Sequence, residues 1–359
     1  MSLNNTVQLQ NTVDPKTFRK KMLRWYEKHR RVLPWRALPN EVPDPYHVWL
    51  SEIMLQQTTV QAVIPYFINF TQKWPTIYEL AQAENDDVMH NWAGLGYYAR
   101  ARNLHKCAKH IVSDHNGVYP SNQTELKKLS GIGEYTSAAI TSIAFDKPSV
   151  VVDGNVERVM ARLHTVEAPV PKGKSILKEY AAYYSEGFSN SPGDYAQSLM
   201  DLGATICTPK SPKCSICPIS NYCQAHATCN EEKYPVREPK KIKPNRYGYV
   251  YWITNNKGEV LIHKRPDKGL LGGMYGFPTT QWQENKVSTA HLEFLANKKM
   301  KKKKETVKHV FTHFNLHLTI YFVIIDKECF SDAFSWVDKN KIGEIGLPTT
   351  FDKVRKLML

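Results

Sequence analysis

The sequence predicts a mostly α-helical region of about 225 residues followed by a separate mixed domain of strands and helices. Three observations carry this. Apolar residues recur at helical spacing up to Leu202, glycine pairs punctuate the helices, and the texture changes at Asn230. From there NEEKYPVREPKKIKPNR, residues 230–246, is charged and proline-rich with little apolar area to bury, and reads as a linker. The division is therefore 1–229, linker 230–246, and 247–359.

Residues 16–30 form a helix on this reading, with Phe18, Met22, Trp25 and Tyr26 on one side. Leu33-Pro34-Trp35-Arg36 is a loop. Residues 48–70 are mostly helical, with Pro65 as a break or kink. Further helices fit 77–82, 99–113, 123–129, 136–144, 156–163, 176–187 and 194–202. In the last domain, 247–254, 259–264 and 316–325 are strands, the first two joined by the turn Asn255-Asn256-Lys257-Gly258. The six lysines at 298, 299 and 301–304 read as a solvated tip, with a phosphate contact as the alternative.

The 359 residues carry a formal net charge of +14 and 42% hydrophobic residues. That favours a polyanionic partner without separating DNA from RNA or anionic membrane. No apolar run is long enough to span a bilayer, so no membrane association is expected. The first residues lack a basic stretch followed by an apolar one, which predicts no secretory signal and, for a bacterial chain, a cytoplasmic location. The seven cysteines are odd in number and clustered, which argues against a secreted disulfide scaffold.

Four of them, Cys207, Cys214, Cys217 and Cys223, follow the spacing Cys-x6-Cys-x2-Cys-x5-Cys. Four thiolates complete a tetrahedral metal site or hold one cubane cluster, and the spacing leaves zinc open as a rival to iron–sulfur. Gly131-Ile132-Gly133 joins two helices, and its glycines leave backbone N–H groups free at a helix start, where a phosphate can bind. Gly94-Leu95-Gly96-Tyr97-Tyr98, followed by Arg100 and Arg102, suits a surface that grips a backbone and sets a ring against bases. Glu52 shares a helix side with Val48 and Leu55, a setting that strips solvent from its carboxyl and favours the protonated form of a general acid. Asp153 precedes a helix as an N-cap, which favours its ionised form. An ionised carboxylate can face a developing sugar cation in N-glycosidic cleavage.

These residues resemble the helix–hairpin–helix DNA glycosylases with an iron–sulfur loop, and within them the adenine DNA glycosylases. The matching segments are LPWR (33–36), SEIMLQQT (51–58), WAGLGYYARARNL (92–104), LSGIGEYTSAAI (129–140), VVDGNVERVMARL (151–163) and DLGATIC with the cysteine array. The resemblance implies a two-lobed helical fold, a [4Fe–4S] cluster on Cys207, Cys214, Cys217 and Cys223, and a monomer. Its implied substrate is double-stranded DNA in which adenine faces 8-oxoguanine or guanine. Glu52 would protonate N7 of adenine and then handle the water proton. Asp153 would stabilise the sugar cation, by charge or by a transient bond at C1′, with Asn155 and Tyr135 as hydrogen-bonding support. Gln57 and Tyr97 would fill or wedge the duplex, while Gly131 and Gly133 hold a phosphate. Related bifunctional enzymes carry a lysine where this chain has Tyr135, so the resemblance implies a monofunctional hydrolase. Residues 246–278 resemble a Nudix-like domain, but 279–294 lack the glutamate array that diphosphate hydrolysis needs, so recognition is the implied role. Phe311, Thr312 and His313 match the family's 8-oxoguanine-reading loop, with threonine in place of the usual serine.

Overall fold

The computed structural model describes residues 12–239, 242–285, 295, 298–325 and 333–359. Thirteen α-helices and six strands are seen among them. The helices are α1 (Pro15–His29), α2 (Pro45–Leu55), α3 (Val60–Lys73), α4 (Ile77–Gln82), α5 (Asn85–Trp92), α6 (Ala99–His115), α7 (Gln123–Leu126), α8 (Glu134–Ile143), α9 (Gly154–Leu163), α10 (Lys174–Ser185), α11 (Pro192–Thr205), α12 (Gln224–Ala227) and α13 (Thr349–Met358). The strands are β1 (Asn245–Thr254), β2 (Glu259–Lys264), β3 (Tyr275–Gly276), β4 (Lys301–Val310), β5 (Asn315–Ile324) and β6 (Phe334–Asp338). No described helix is long and apolar enough to cross a membrane.

Two units result, one of residues 1–81 with 106–240, the other of 82–105 with 241–359. This corrects the expected division twice. Residues 82–105 group with the C-terminal strands. Their ties are Asp86, which accepts from Lys264 Nζ at 2.6 Å and Tyr275 Oη at 3.1 Å, and Arg102, which donates to the Gly272 carbonyl. The expected linker also packs in part: Tyr234 is buried and Val170 N donates to the Val236 carbonyl at 2.8 Å, both within the helical unit. Residues 240–241 of that linker lie outside the described residues, as does Cys329.

In the helical unit, side-chain caps set the starts of α1 and α2. Asp14 and Asp44 accept from Thr17 N and Tyr46 N, each just ahead of a proline that fits the first helical turn. α8 from Thr136 to Ile143 and α11 from Tyr195 to Gly203 are buried on every side, as is α2 from Val48 to Met54. The predicted 48–70 helix breaks at 56–59 rather than at Pro65, because Gln57 turns left-handed with φ 58° and Thr59 caps a new helix. Pro65 lies inside α3, and the helix continues through it.

The other unit is built on a sheet of order β3-β2-β1-β5-β4, with β6 also on β2. β1 and β5 run parallel from Asn245↔Asn315 to Thr254↔Ile324. Alternation sorts their side chains. Val250, Trp252, Leu316, Leu318 and Ile320 are buried on one face. Tyr251, Ile253, Leu261, Leu295, Val323 and Ile325 form a core on the other. Gly276 is needed where it is, since a Cβ there would sit 2.3 Å from the Phe351 ring of α13. The lysine run is not a tip: Lys301–Lys304 begin β4, paired to β5 at the sheet edge. Charged side chains there discourage edge-to-edge association.

Candidate active site

Glu52 lies on the last turns of α2, 5% exposed, in a small cavity lined by Arg31, Leu33, Trp35, Arg36, Val48, Gln197 and Met200. Its Oε2 has no hydrogen-bond partner among the described residues. Burial pushes its carboxyl up to about 7, and the Asp153 charge pushes the same way, while a hydrogen bond from Tyr135 and the Arg36 charge pull it down. The sequence expectation of a desolvated acid thus meets a matching geometry. The two carboxyls, far apart in sequence, lie within electrostatic reach of each other.

Asp153 caps α9. Its Oδ1 accepts from Asn155 N at 2.8 Å and Val156 N at 2.7 Å, and its Oδ2 accepts from Asn155 Nδ2 at 2.7 Å. Burial still raises its carboxyl above the ordinary value, against these donors and the Arg158 charge. The capping role therefore does not hold Asp153 as low as the sequence suggested; desolvation outweighs the helix start. Asn155 supports Asp153 as expected. Tyr135 lies beside both carboxyls, and burial together with their charges raises its phenol far above its ordinary value.

Sequence reading missed the residues that hold this arrangement. Asp201 is fully buried and receives Arg36 in a forked pair at 2.7 and 2.8 Å, with Arg31 Nε at 2.7 Å. Burial raises the Asp201 carboxyl, but the Arg36 and Arg31 interactions outweigh it and hold the group below its ordinary value. Asp201 fixes Arg36, whose charge acts on Glu52. The arginine in LPWR and the aspartate of DLGATIC were the available signal, but nothing local says that they meet.

α9 also ties Asp153 to the cysteine loop. Arg158 donates to Asn155 Oδ1 at 2.9 Å, to the Gly203 carbonyl at 2.7 Å and to the Cys207 carbonyl at 2.7 Å. Gly203 permits this approach, since a Cβ there would stand 2.5 Å from the Asn155 Cβ. One turn on, buried Arg162 donates to Cys207 Sγ at 3.3 Å and to the Thr208, Pro209 and Glu231 carbonyls. Cys207, Cys214, Cys217 and Cys223 line one hollow with Val159, Leu163, Leu202 and Ile219. Burial pushes Cys214 up to about 12 and Cys217 to about 11, so these thiols ionise at neutral pH only against a soft cationic centre. Cys229 is exposed.

The glycine hairpin has the expected form. Gly131 takes φ +81°, Gly133 is the N-cap of α8, and a Cβ on Gly133 would meet nothing within 4 Å. Gln57 is exposed at its left-handed position.

In the other unit, Tyr97 is left-handed and 44% exposed, with its hydroxyl 2.7 Å from Thr312 Oγ1. Arg100 does not reach outward as expected. It is buried and donates to the Leu95 and Gly96 carbonyls at 3.1 and 3.2 Å, beneath the Tyr97 ring. Phe311 packs on Phe314 and Trp282, and closes the β4–β5 turn by donating to the Phe314 carbonyl at 2.9 Å. Thr312 and His313 are exposed at that turn.

The helix–hairpin–helix fold, the paired carboxyls and the cysteine hollow define a base-excision DNA repair protein with an iron–sulfur loop. Family models agree. Residues 50–181 match the HhH-GPD superfamily base excision DNA repair protein, 207–223 the iron–sulfur binding domain of endonuclease III, and 249–357 the NUDIX domain. A thermostable thymine-DNA glycosylase structure superposes with a TM-score of 0.51 at 28% identity, covering 60% of this chain and 97% of its own. A protein of Buchnera aphidicola (subsp. Schizaphis graminum) named adenine DNA glycosylase is 33% identical over 95% of this chain and 98% of its own length. One of that name from Arabidopsis thaliana is 40% identical over 72% of this chain, which spans 46% of the plant protein. The human one is 34% identical over 74% of this chain and 58% of its own. The chain belongs to the adenine DNA glycosylase family.

Proposed function

We propose that this chain is a monofunctional hydrolase that removes adenine mispaired with 8-oxoguanine or guanine in double-stranded DNA, acting as a monomer in base excision repair. The carrying observation is the contrast between Glu52, buried with an unpartnered oxygen, and Asp153, held by three N–H donors. Glu52, pushed up to about 7, keeps a proton near neutral pH and can give it to N7 of a base turned out of the stack. As the C1′–N9 bond breaks, the electron pair leaves with the protonated base and positive charge develops on the sugar. Asp153 faces that charge, oriented by Asn155. Water then adds to C1′, and Glu52 takes up its proton.

Tyr135 stands beside the Glu52 carboxyl and cannot form an imine with the sugar, which supports hydrolysis without strong strand cleavage. Cys207, Cys214, Cys217 and Cys223 suit a [4Fe–4S] cluster, which when bound supplies iron–thiolate bonds that staple the loop. The tether from Arg162 through Arg158 would then steady Asn155. Gly131 and Gly133 are assigned to a phosphate, Gln57 and Tyr97 to wedging the duplex, and Phe311, Thr312 and His313 to reading 8-oxoguanine. Residues 247–359 serve as the recognition domain, joined in this reading by 82–105, which contribute Tyr97.

The test is base release from duplexes carrying 8-oxoguanine opposite adenine, guanine opposite adenine, or thymine glycol, assayed before and after hot alkali. Release from the adenine mispairs, with strand breaks only after alkali, is expected. Release from thymine glycol alone refutes the reading.

A further inference from the structure

In the lining of the cysteine hollow itself, three donors of different chemistry converge. A Cys214 sulfur, a ring nitrogen of His226 and a carboxylate oxygen of Glu231 all lie within 4.8 Å of one another. His226 Nδ1 and Glu231 Oε1 are 2.6 Å apart, and the Cys214 sulfur lies within 4.8 Å of both groups. Short local structure fixes each donor. Cys214 opens the 3-10 turn Cys214–Ile216, His226 lies in α12, and Glu231 opens the turn Glu231–Lys233, anchored by Arg162 Nε on its carbonyl at 2.8 Å. His226 and Glu231 stand outside the four-cysteine spacing, and the family model for the iron–sulfur loop ends at Cys223.

Cys214 differs from the other thiols in its surroundings. Cys207 and Cys223 are tied to Arg162, the first through its guanidinium and the second through its carbonyl at 3.4 Å. Cys214 turns to the imidazole and carboxylate. Thiolate, imidazole and carboxylate together are a ligand set for zinc, with bonds of about 2.0–2.3 Å. Proton-linked contacts among such groups are what a metal replaces on binding.

We propose that Cys214, His226 and Glu231 form a mononuclear site for a zinc-class divalent cation, with one coordination position left open, in the chain that has not received its iron–sulfur cluster. The mutual exclusion rests on reading Cys214 as a cluster ligand: the sulfur is shared, so either occupant excludes the other. Zinc then diverts the chain from cluster assembly.

Cobalt(II) is the probe, because its visible bands report geometry and its charge-transfer intensity counts thiolates. The full chain is produced in iron-poor, cobalt-supplemented medium as wild type, Cys207→Ser, Cys214→Ser and His226→Gln. The site predicts cobalt in the wild-type chain with the intensity of a single thiolate. Cys207→Ser, which cannot complete four thiolates, keeps the metal, while Cys214→Ser and His226→Gln weaken retention at least about tenfold. Four-thiolate intensity, loss of cobalt in Cys207→Ser whether or not that chain stays soluble, or indifference to His226→Gln overturns the proposal. Iron and sulfide content of wild-type chain from iron-replete medium is read separately, so failure of the cluster assignment is distinguishable from failure of this site.

Discussion

The end of α2 and the start of α9 each present one carboxyl to the same site, and the two differ in their supply of donors. Glu52 sits where the helix has used its own N–H groups, so one oxygen is left unpartnered and burial drives the carboxyl to about 7. Asp153 sits where a helix begins, and three N–H bonds offset part of the burial that raises it. The proposed roles follow that difference: the carboxyl without donors is assigned as the acid and the one with three donors as the anion.

The largest way to break this contrast is to remove either carboxyl. Glu52→Gln should lower single-turnover adenine release by about 10²–10⁴-fold. Asp153→Asn should lower it by about 10²–10³-fold with folding intact, because asparagine still caps α9. Activity in either variant near the wild-type rate would remove the proposed division of labour. A stability effect comes next. Asp201→Asn uncouples Arg36 and Arg31 in a buried setting and should cost about 3–5 kcal/mol in denaturant unfolding.

Glu52 should itself be a pH-dependent cost to folding. Its folded carboxyl, at about 7, lies above the ordinary value of 4.5. Below that ordinary value both states carry the proton. As pH rises the unfolded chain ionises first, so stability falls until the folded carboxyl ionises too. The loss is about 3 kcal/mol and stays constant above the window. Glu52→Gln should recover it at alkaline pH and not at acid pH, checked by melting both proteins across the range. The smallest effect belongs to Tyr135→Phe. Loss of the bond that lowers Glu52 should move the alkaline limb of the rate profile to higher pH; movement to lower pH would contradict the assigned bond.

Much of this was legible in the sequence where the signal is local. Helical spacing placed most helices, the cysteine spacing announced a metal-type loop, and the setting of Glu52 indicated a desolvated acid. What failed to show was long-range. Arg36 and Asp201 are separated by 165 residues yet share two bonds. Arg158 and Arg162 look like surface arginines of an amphipathic helix until Gly203 and the cysteine loop close over them. The lysines of β4 are mostly exposed, as read, but the strand they begin was not legible, because strand pairing to β5 overrides a sequence with little strand preference. Residues 82–105 carry no mark that they pack with strands lying well over a hundred positions further on.

The most direct measurement is infrared difference titration of the carboxyl C=O bands, assigned by their disappearance in Glu52→Gln and Asp153→Asn. Glu52 should keep a protonated band that fades as pH passes about 7, while the Asp153 band should already have been lost at lower pH. Coincident loss of the two bands, or loss of the Asp153 band at the higher pH, would contradict the account.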